Sequence, residues 1–210
     1  MPQEILPSYT WSVDVARYRS TETGRFVARR DIMSLLETQT NSAERRLGEL
    51  TTAYHEGRMS ASTWQVTMRD ELRRLHSQNM ALGLGGWDRA TQQSWGRVGG
   101  YLQADYTRMA QLAQDIADGK ATLPQALARV NGYVVSARRN FFEADRDAMR
   151  RSGRRWEERR RLGNAEHCGD CLDFVAQGWQ PMGILPIPGD GSTECGSYDK
   201  CTMERREVTA

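Results

Sequence analysis

The chain has 210 residues, with 29 basic and 27 acidic side chains and a formal net charge of +2. Charged residues make up 27% and hydrophobic ones 39%. Such a chain suits one ordinary domain or a domain with a small appendage, built of elongated elements instead of one thick core. The near-neutral balance argues against a dedicated nucleic-acid binder, and no apolar run approaches the roughly 20 residues that span a bilayer. The opening Met1-Pro2-Gln3-Glu4-Ile5-Leu6-Pro7 has neither the basic nor the apolar region of a secretory leader, so synthesis and assembly in a cytosol are expected.

Residues 1–24 read as an irregular N-terminal arm, with two prolines and the polar stretch Arg19-Ser20-Thr21-Glu22-Thr23-Gly24. Residues 25–152 read as a helical body of four helices. In the first, Ile32, Leu36, Ala43, Leu47, Leu50 and Tyr54 recur at helical spacing, and Gly57 ends it. Ser60 suits the N-cap of the second, whose stripe is Trp64, Met68, Leu72 and Leu75. Gly83-Leu84-Gly85-Gly86 breaks that helix. The third carries Trp95, Val98, Leu102, Tyr106, Met109, Leu112 and Ile116, and stops at Gly119. The fourth opens on Thr122-Leu123-Pro124-Gln125, a cap, a first-turn proline and a capping-box glutamine. Its stripe is Leu127, Val130, Val134, Ala137, Phe141 and Ala144. Short loops predict antiparallel neighbours, as in an elongated helical bundle or helical hairpins.

Residues 153–163 read as a basic linker within the run Arg150, Arg151, Arg154, Arg155, Arg159, Arg160 and Arg161, relieved by Glu157 and Glu158. Arg154, Arg155, Arg159 and Arg160 are candidate phosphate contacts; internal Glu–Arg pairs on a solvated face are the plainer expectation. From residue 164 to 210, glycine and proline become dense, and the segment has too little apolar surface to order itself.

All four cysteines fall in that last segment, at Cys168, Cys171, Cys195 and Cys201. A Cys-x2-Cys pair followed by a second pair is how a small tetrahedral site is built, and four soft thiolates suit Zn²⁺. Disulfides, or a mixture of free thiols, are the competing readings. Four sulfurs leave no open position on the ion, so such a site would be structural. His167 adjoins Cys168 and is expected outside the first coordination sphere. The chain has no Walker loop, no His-Glu-x-x-His and no Gly-x-Ser-x-Gly. His55 and His76 read as surface residues, and Asp145 and Asp147, two apart on a helix, do not share a face. No enzyme is expected.

The expected fold is therefore mainly α, with a small irregular C-terminal knob stapled by a four-cysteine zinc site. The stretch His167-Cys168-Gly169-Asp170-Cys171, then residues Gly178 to Gly189 with Gly178-Trp179, then Cys195-Gly196-Ser197-Tyr198-Asp199-Lys200-Cys201, resembles the C-terminal motif of phage minor head proteins. These are head-morphogenesis proteins of tailed bacteriophages. Tyr18-Arg19, Thr23-Gly24-Arg25-Phe26-Val27, Gly85-Gly86-Trp87 and Trp95-Gly96-Arg97-Val98-Gly99 are similar to the upstream part of that type. The family pattern often carries an inner cysteine and an asparagine where this chain has Asp199 and Tyr198.

The resemblance implies a non-catalytic structural component of a virion, assembled in the host cytoplasm. Its implied partners are the portal, the major capsid protein and copies of itself within a symmetric assembly. It also implies Cys168, Cys171, Cys195 and Cys201 as zinc ligands. Trp179, Ile184, Leu185 and Ile187 are candidates for a partner-contact surface, or for covering the cysteine site and packing on the fourth helix. The alternative function is a nucleic-acid-binding zinc module that uses the Arg150–Arg161 stretch.

Overall fold

The computed structural model describes residues 9–164 and 166–208. It is mainly helical. Five helices form the body: α1 (Arg29–His55), α2 (Ala61–Leu84), α3 (Gln92–Ala117), α4 (Leu123–Ser136) and α5 (Arg138–Arg150). A short α6 (Gly169–Ala176) lies in the C-terminal segment.

The stripes place the helices. On α1 the buried positions are Ile32, Leu36, Thr40, Ala43, Leu47, Thr51 and Tyr54, one every three or four residues. The Ser60 hydroxyl accepts from the Thr63 N–H at 3.1 Å and caps α2. Gly85, in the left-handed region at φ +76°, ends it. Thr91 and Ser94 form a reciprocal capping box on α3, and Thr122 and Gln125 occupy the same positions on α4. Leu47, Trp64, Met68, Leu72, Met109, Leu112, Val130 and Val134 fill the main core between α1 and α4. Full burial of side chains of this size contributes roughly 1.5–3 kcal/mol each.

The last two turns of α2 are buried on every side, because α2 lies along α5 and under the N-terminal residues. A Cβ at Gly83 would collide with the Phe141 carbonyl oxygen, so only glycine permits that approach. His76, expected at the surface, is fully buried there. Its Nε2 lies 3.3 Å from Asp105 Oδ2 and its Nδ1 3.0 Å from Asn140 Nδ2. Asn140 on α5 offsets part of the cost of desolvating the ring, while Nε2 and the Asp105 oxygen near it are buried without a hydrogen bond among the described residues.

Three expectations are corrected. The fourth helix divides at Ala137 into α4 and α5. The N-terminal arm is, from residue 9, a three-stranded antiparallel sheet of β1 (Tyr9–Ser12), β2 (Arg17–Ser20) and β3 (Phe26–Val27), in the order β1-β2-β3. Trp11 and Tyr18 dock it into the core edge-to-face at 5.0 Å, and the Trp11 N–H donates to the Gly85 carbonyl at 3.0 Å. The part of the arm before residue 9 lies outside the described residues. The basic linker contains β4 (Trp156–Arg161), the middle strand of a second sheet in the order β5-β4-β6, with β5 (Gln180–Pro181) and β6 (Thr202–Glu207) both antiparallel to it. Leu185, Ile187 and Met203 from the C-terminal segment share a second core with Trp11, Tyr18, Ile32, Phe141 and Phe142.

A buried polar lattice ties these parts together. Asp145 on α5 pairs with Arg29 of α1 at 2.6 Å and with Arg205 of β6. Glu158 of β4 pairs with Arg146 at 2.5 Å and with Arg205 at 3.4 Å. The Tyr18 hydroxyl reaches the Gly83 carbonyl at 3.1 Å, and burial pushes its phenol up to about 12. Asp147 faces the other way, toward Arg97 and Arg150. Asp145→Ala would leave the buried Arg205 and the part-buried Arg29 short of a counter-charge, so a loss of about 3 kcal/mol is expected in urea unfolding. Asp70→Ala, on the exposed face of α2, is expected to stay within about 0.5 kcal/mol of the parent.

Candidate metal centre

The Cys-x2-Cys pair straddles the start of α6. Cys168 is its N-cap residue in extended conformation and Cys171 lies in its first turn. Unpaired N–H groups at a helix start point outward there and favour negative charge. The backbone N–H of Cys171 accordingly lowers the Cys168 thiol from its ordinary value.

Cys195 comes from the loop after Gly191 and precedes a 3-10 turn over Gly196–Tyr198. This loop is latched to α6 from both sides. The Gly169 N–H donates to Glu194 Oε2 at 3.1 Å, and the Glu194 N–H donates to Asp170 Oδ2 at 2.8 Å. The latch sets Cys195 Sγ 3.6 Å from Cys171 Sγ. The ligand atoms of Cys168, Cys171 and Cys195 all lie within 4.8 Å of one another.

Cys201 stands immediately before β6 and meets the cluster through Cys171. Cys171, Asp199 and Cys201 form a second group, entirely buried, within the same 4.8 Å limit. The four cysteines thus lie close together and could bind a metal. All four are free thiols, and 3.6 Å is far beyond a disulfide bond of about 2.0 Å. Sulfurs at about 2.3 Å from a tetrahedral Zn²⁺ stand nearly 3.8 Å apart, and the 3.6 Å between Cys171 and Cys195 matches that separation, while Cys201 falls in the second group, joined to the first through Cys171.

His167 Nδ1 is 4.0 Å from Cys201 Sγ and belongs to neither cysteine group. Burial pushes the thiols of Cys171, Cys195 and Cys201 up, and the Asp199 carboxylate pushes the same way on all three. A divalent cation is the charge that makes several buried thiolates tenable side by side.

Asp199, the position where the phage pattern often has its inner cysteine, is buried and turned to a positioning task. It pairs with Arg160, accepts the Cys201 N–H at 2.9 Å and lies 4.0 Å from Cys171 Sγ. Arg160 is itself fully buried. Its Nη2 stands 3.8 Å from Cys171 Sγ, its Nη1 donates to the Pro186 carbonyl at 2.8 Å, and its guanidinium lies over the Phe174 ring. Arg160 therefore braces the cysteine cluster from behind and offers nothing to a phosphate. The sequence signal for Arg160 was its place in the alternation of β4, masked by the charge of its neighbours, and Asp199, in the turn before β6, had none.

The other candidate residues separate. Arg154 pairs with Glu207 at 2.7 Å and also donates to the Asp14 carbonyl, while Arg159 pairs with Glu204 at 2.7 Å. Of the four candidate phosphate contacts, Arg155 alone is exposed with no ion pair among the described residues. Trp179 is half-buried between the guanidiniums of Arg159 and Arg206, at 4.6 and 4.5 Å. Ile184 is 65% exposed, whereas Leu185 and Ile187 are in the core and cannot form a contact surface. Their role is to seat the segment on α5.

No family model matches this chain, and no curated protein or solved structure matches it either. Among the described residues no helix is long and apolar enough to cross a membrane.

The Arg160–Asp199 pair is open to a double-mutant cycle. Arg160→Ala and Asp199→Ala are each expected to cost about 3 kcal/mol in urea unfolding, because each strands its buried partner. The double variant should cost clearly less than their sum.

Proposed function

We propose that Cys168, Cys171, Cys195 and Cys201 hold one structural Zn²⁺, and that the chain is a non-catalytic component of a tailed-phage head. The convergence of two cysteine pairs from separate loops carries the metal reading. The soft, all-sulfur donor set favours Zn²⁺ over hard cations such as Mg²⁺. When bound, the ion supplies cross-linking between the α6 turn, the Cys195 loop and the start of β6. The chain's own residues do the rest: Arg160 and Asp199 position Cys171 and Cys201, and Leu185 and Ile187 anchor the segment to the helices.

The head assignment rests on the likeness of the cysteine segment to phage minor head proteins. A rigid body with a metal-pinned segment suits a bridging part whose partners are the portal, the major capsid protein and further copies of itself. On this reading it is assembled in the host cytoplasm and resides in the virion. The other reading, a zinc module gripping nucleic acid with the Arg150–Arg161 stretch, is weakened because Arg154, Arg159 and Arg160 are already matched to carboxylates.

Elemental analysis of the purified chain tests the metal reading: one zinc per chain is expected, lost in Cys168→Ser/Cys171→Ser. That variant should exchange amide hydrogens faster across 166–208 while keeping its helical ellipticity. A wild-type chain without zinc would overturn the assignment. Mass spectrometry of purified particles tests the head assignment, which predicts the chain at constant stoichiometry to the portal. Its absence from particles and from assembly intermediates would contradict it.

A further inference from the structure

We propose that the outward face of the N-terminal sheet binds the phosphate backbone of nucleic acid. The inference goes beyond the head assignment and is independent of the metal.

The register puts the face together. Tyr18 of β2 turns inward, so its neighbours Arg17 and Arg19 turn outward, and both are exposed. Phe26 of β3 pairs with Arg19 and shares its face. The two guanidiniums lie over the Phe26 ring at 4.9 and 5.1 Å. Across on β1, Thr10 stands opposite Arg19 and Ser12 opposite Arg17, adding hydroxyl donors to the same face. Arg25, exposed, precedes Phe26.

These arginines differ from those around the second sheet. Among the described residues, Arg17, Arg19 and Arg25 form no ion pair, while Arg154, Arg159, Arg160, Arg161 and Arg206 all do and Arg155 alone of that run's phosphate candidates does not. An aromatic ring holds a guanidinium in place without neutralising it, so charge and N–H forks stay available. Forked donors suit phosphate oxygens, and Arg17 and Arg19 sit about 7 Å apart along the strand, of the order of neighbouring phosphates on one nucleic-acid strand.

The platform is rigid because Trp11 and Tyr18 bolt its other face into the core. A lipid surface is the poorer match, since binding in an interface needs several inserted apolar side chains and this face offers a single aromatic, Phe26, 41% exposed and flanked by two guanidiniums. The net charge of +2 describes the whole chain; on the N-terminal sheet Arg17, Arg19 and Arg25 outnumber the exposed Asp14 and Glu22 of its turns.

The test is fluorescence anisotropy of the full chain with labelled single-stranded and duplex oligonucleotides, between about 50 and 200 mM salt. Wild type is expected to bind with salt-dependent affinity. Arg17→Ala/Arg19→Ala/Arg25→Ala should weaken binding at least ~10-fold at the low-salt end and flatten the log–log salt slope by about 2–3. Arg17→Lys/Arg19→Lys keeps the charge and should keep the slope while losing affinity. Arg45→Ala, exposed on α1, should change nothing. Circular dichroism checks that each variant folds, and the lysine variant stands in should the alanine one fail. The proposal is overturned by absence of wild-type binding, by unchanged binding in the arginine variants, or by preference for phosphatidylglycerol vesicles over both nucleic acids.

Discussion

Guanidinium groups buried among carboxylates hold the C-terminal sheet to the helices, and the cysteine cluster depends on them. Arg205 and Arg146 lock β6 and β4 to α5 through Asp145 and Glu158, while Arg160 and Asp199 hold the cysteines together from the core side. Such pairs gain little over apolar packing of the same volume, but stranding one partner is costly. Their contribution is therefore geometric. They allow one arrangement of β4 and β6, and that arrangement sets where Cys171 and Cys201 can stand.

This explains why a segment so rich in glycine and proline is ordered. Leu185, Ile187 and Met203 fasten it in the core, and at its edge lie four cysteines that could bind a metal. The two sets of contacts differ in chemistry. Apolar burial is non-directional, whereas the sulfurs require particular loop conformations, supplied by the Glu194–Asp170 latch and the cap position of Cys168. A bridging component of a particle needs such a fixed shape, which is how the fold serves the proposed role.

Legibility followed the physics of each element. The stripes of α1, α2 and α3 gave those helices from the sequence, because one apolar face repeats every three or four residues. The division at Ala137 was hidden because Val134, Ala137 and Phe141 continue the stripe across it. The first sheet was missed because its strands hold two to four residues and its outward positions are arginine. In β4 the inward residues are Glu158 and Arg160. Charges buried as pairs erase the alternation by which a strand is recognised. The cysteine spacing did announce a cluster, but Asp199 and Arg160, which shape it, become visible only once β4 and the Cys195 loop are brought together.

Zinc K-edge X-ray absorption on the purified chain tests the central claim most directly. The account predicts a shell of sulfur scatterers at about 2.3 Å, four per ion. An absorption edge with no zinc, or sulfur pairs bonded at about 2.0 Å without an ion, would contradict it.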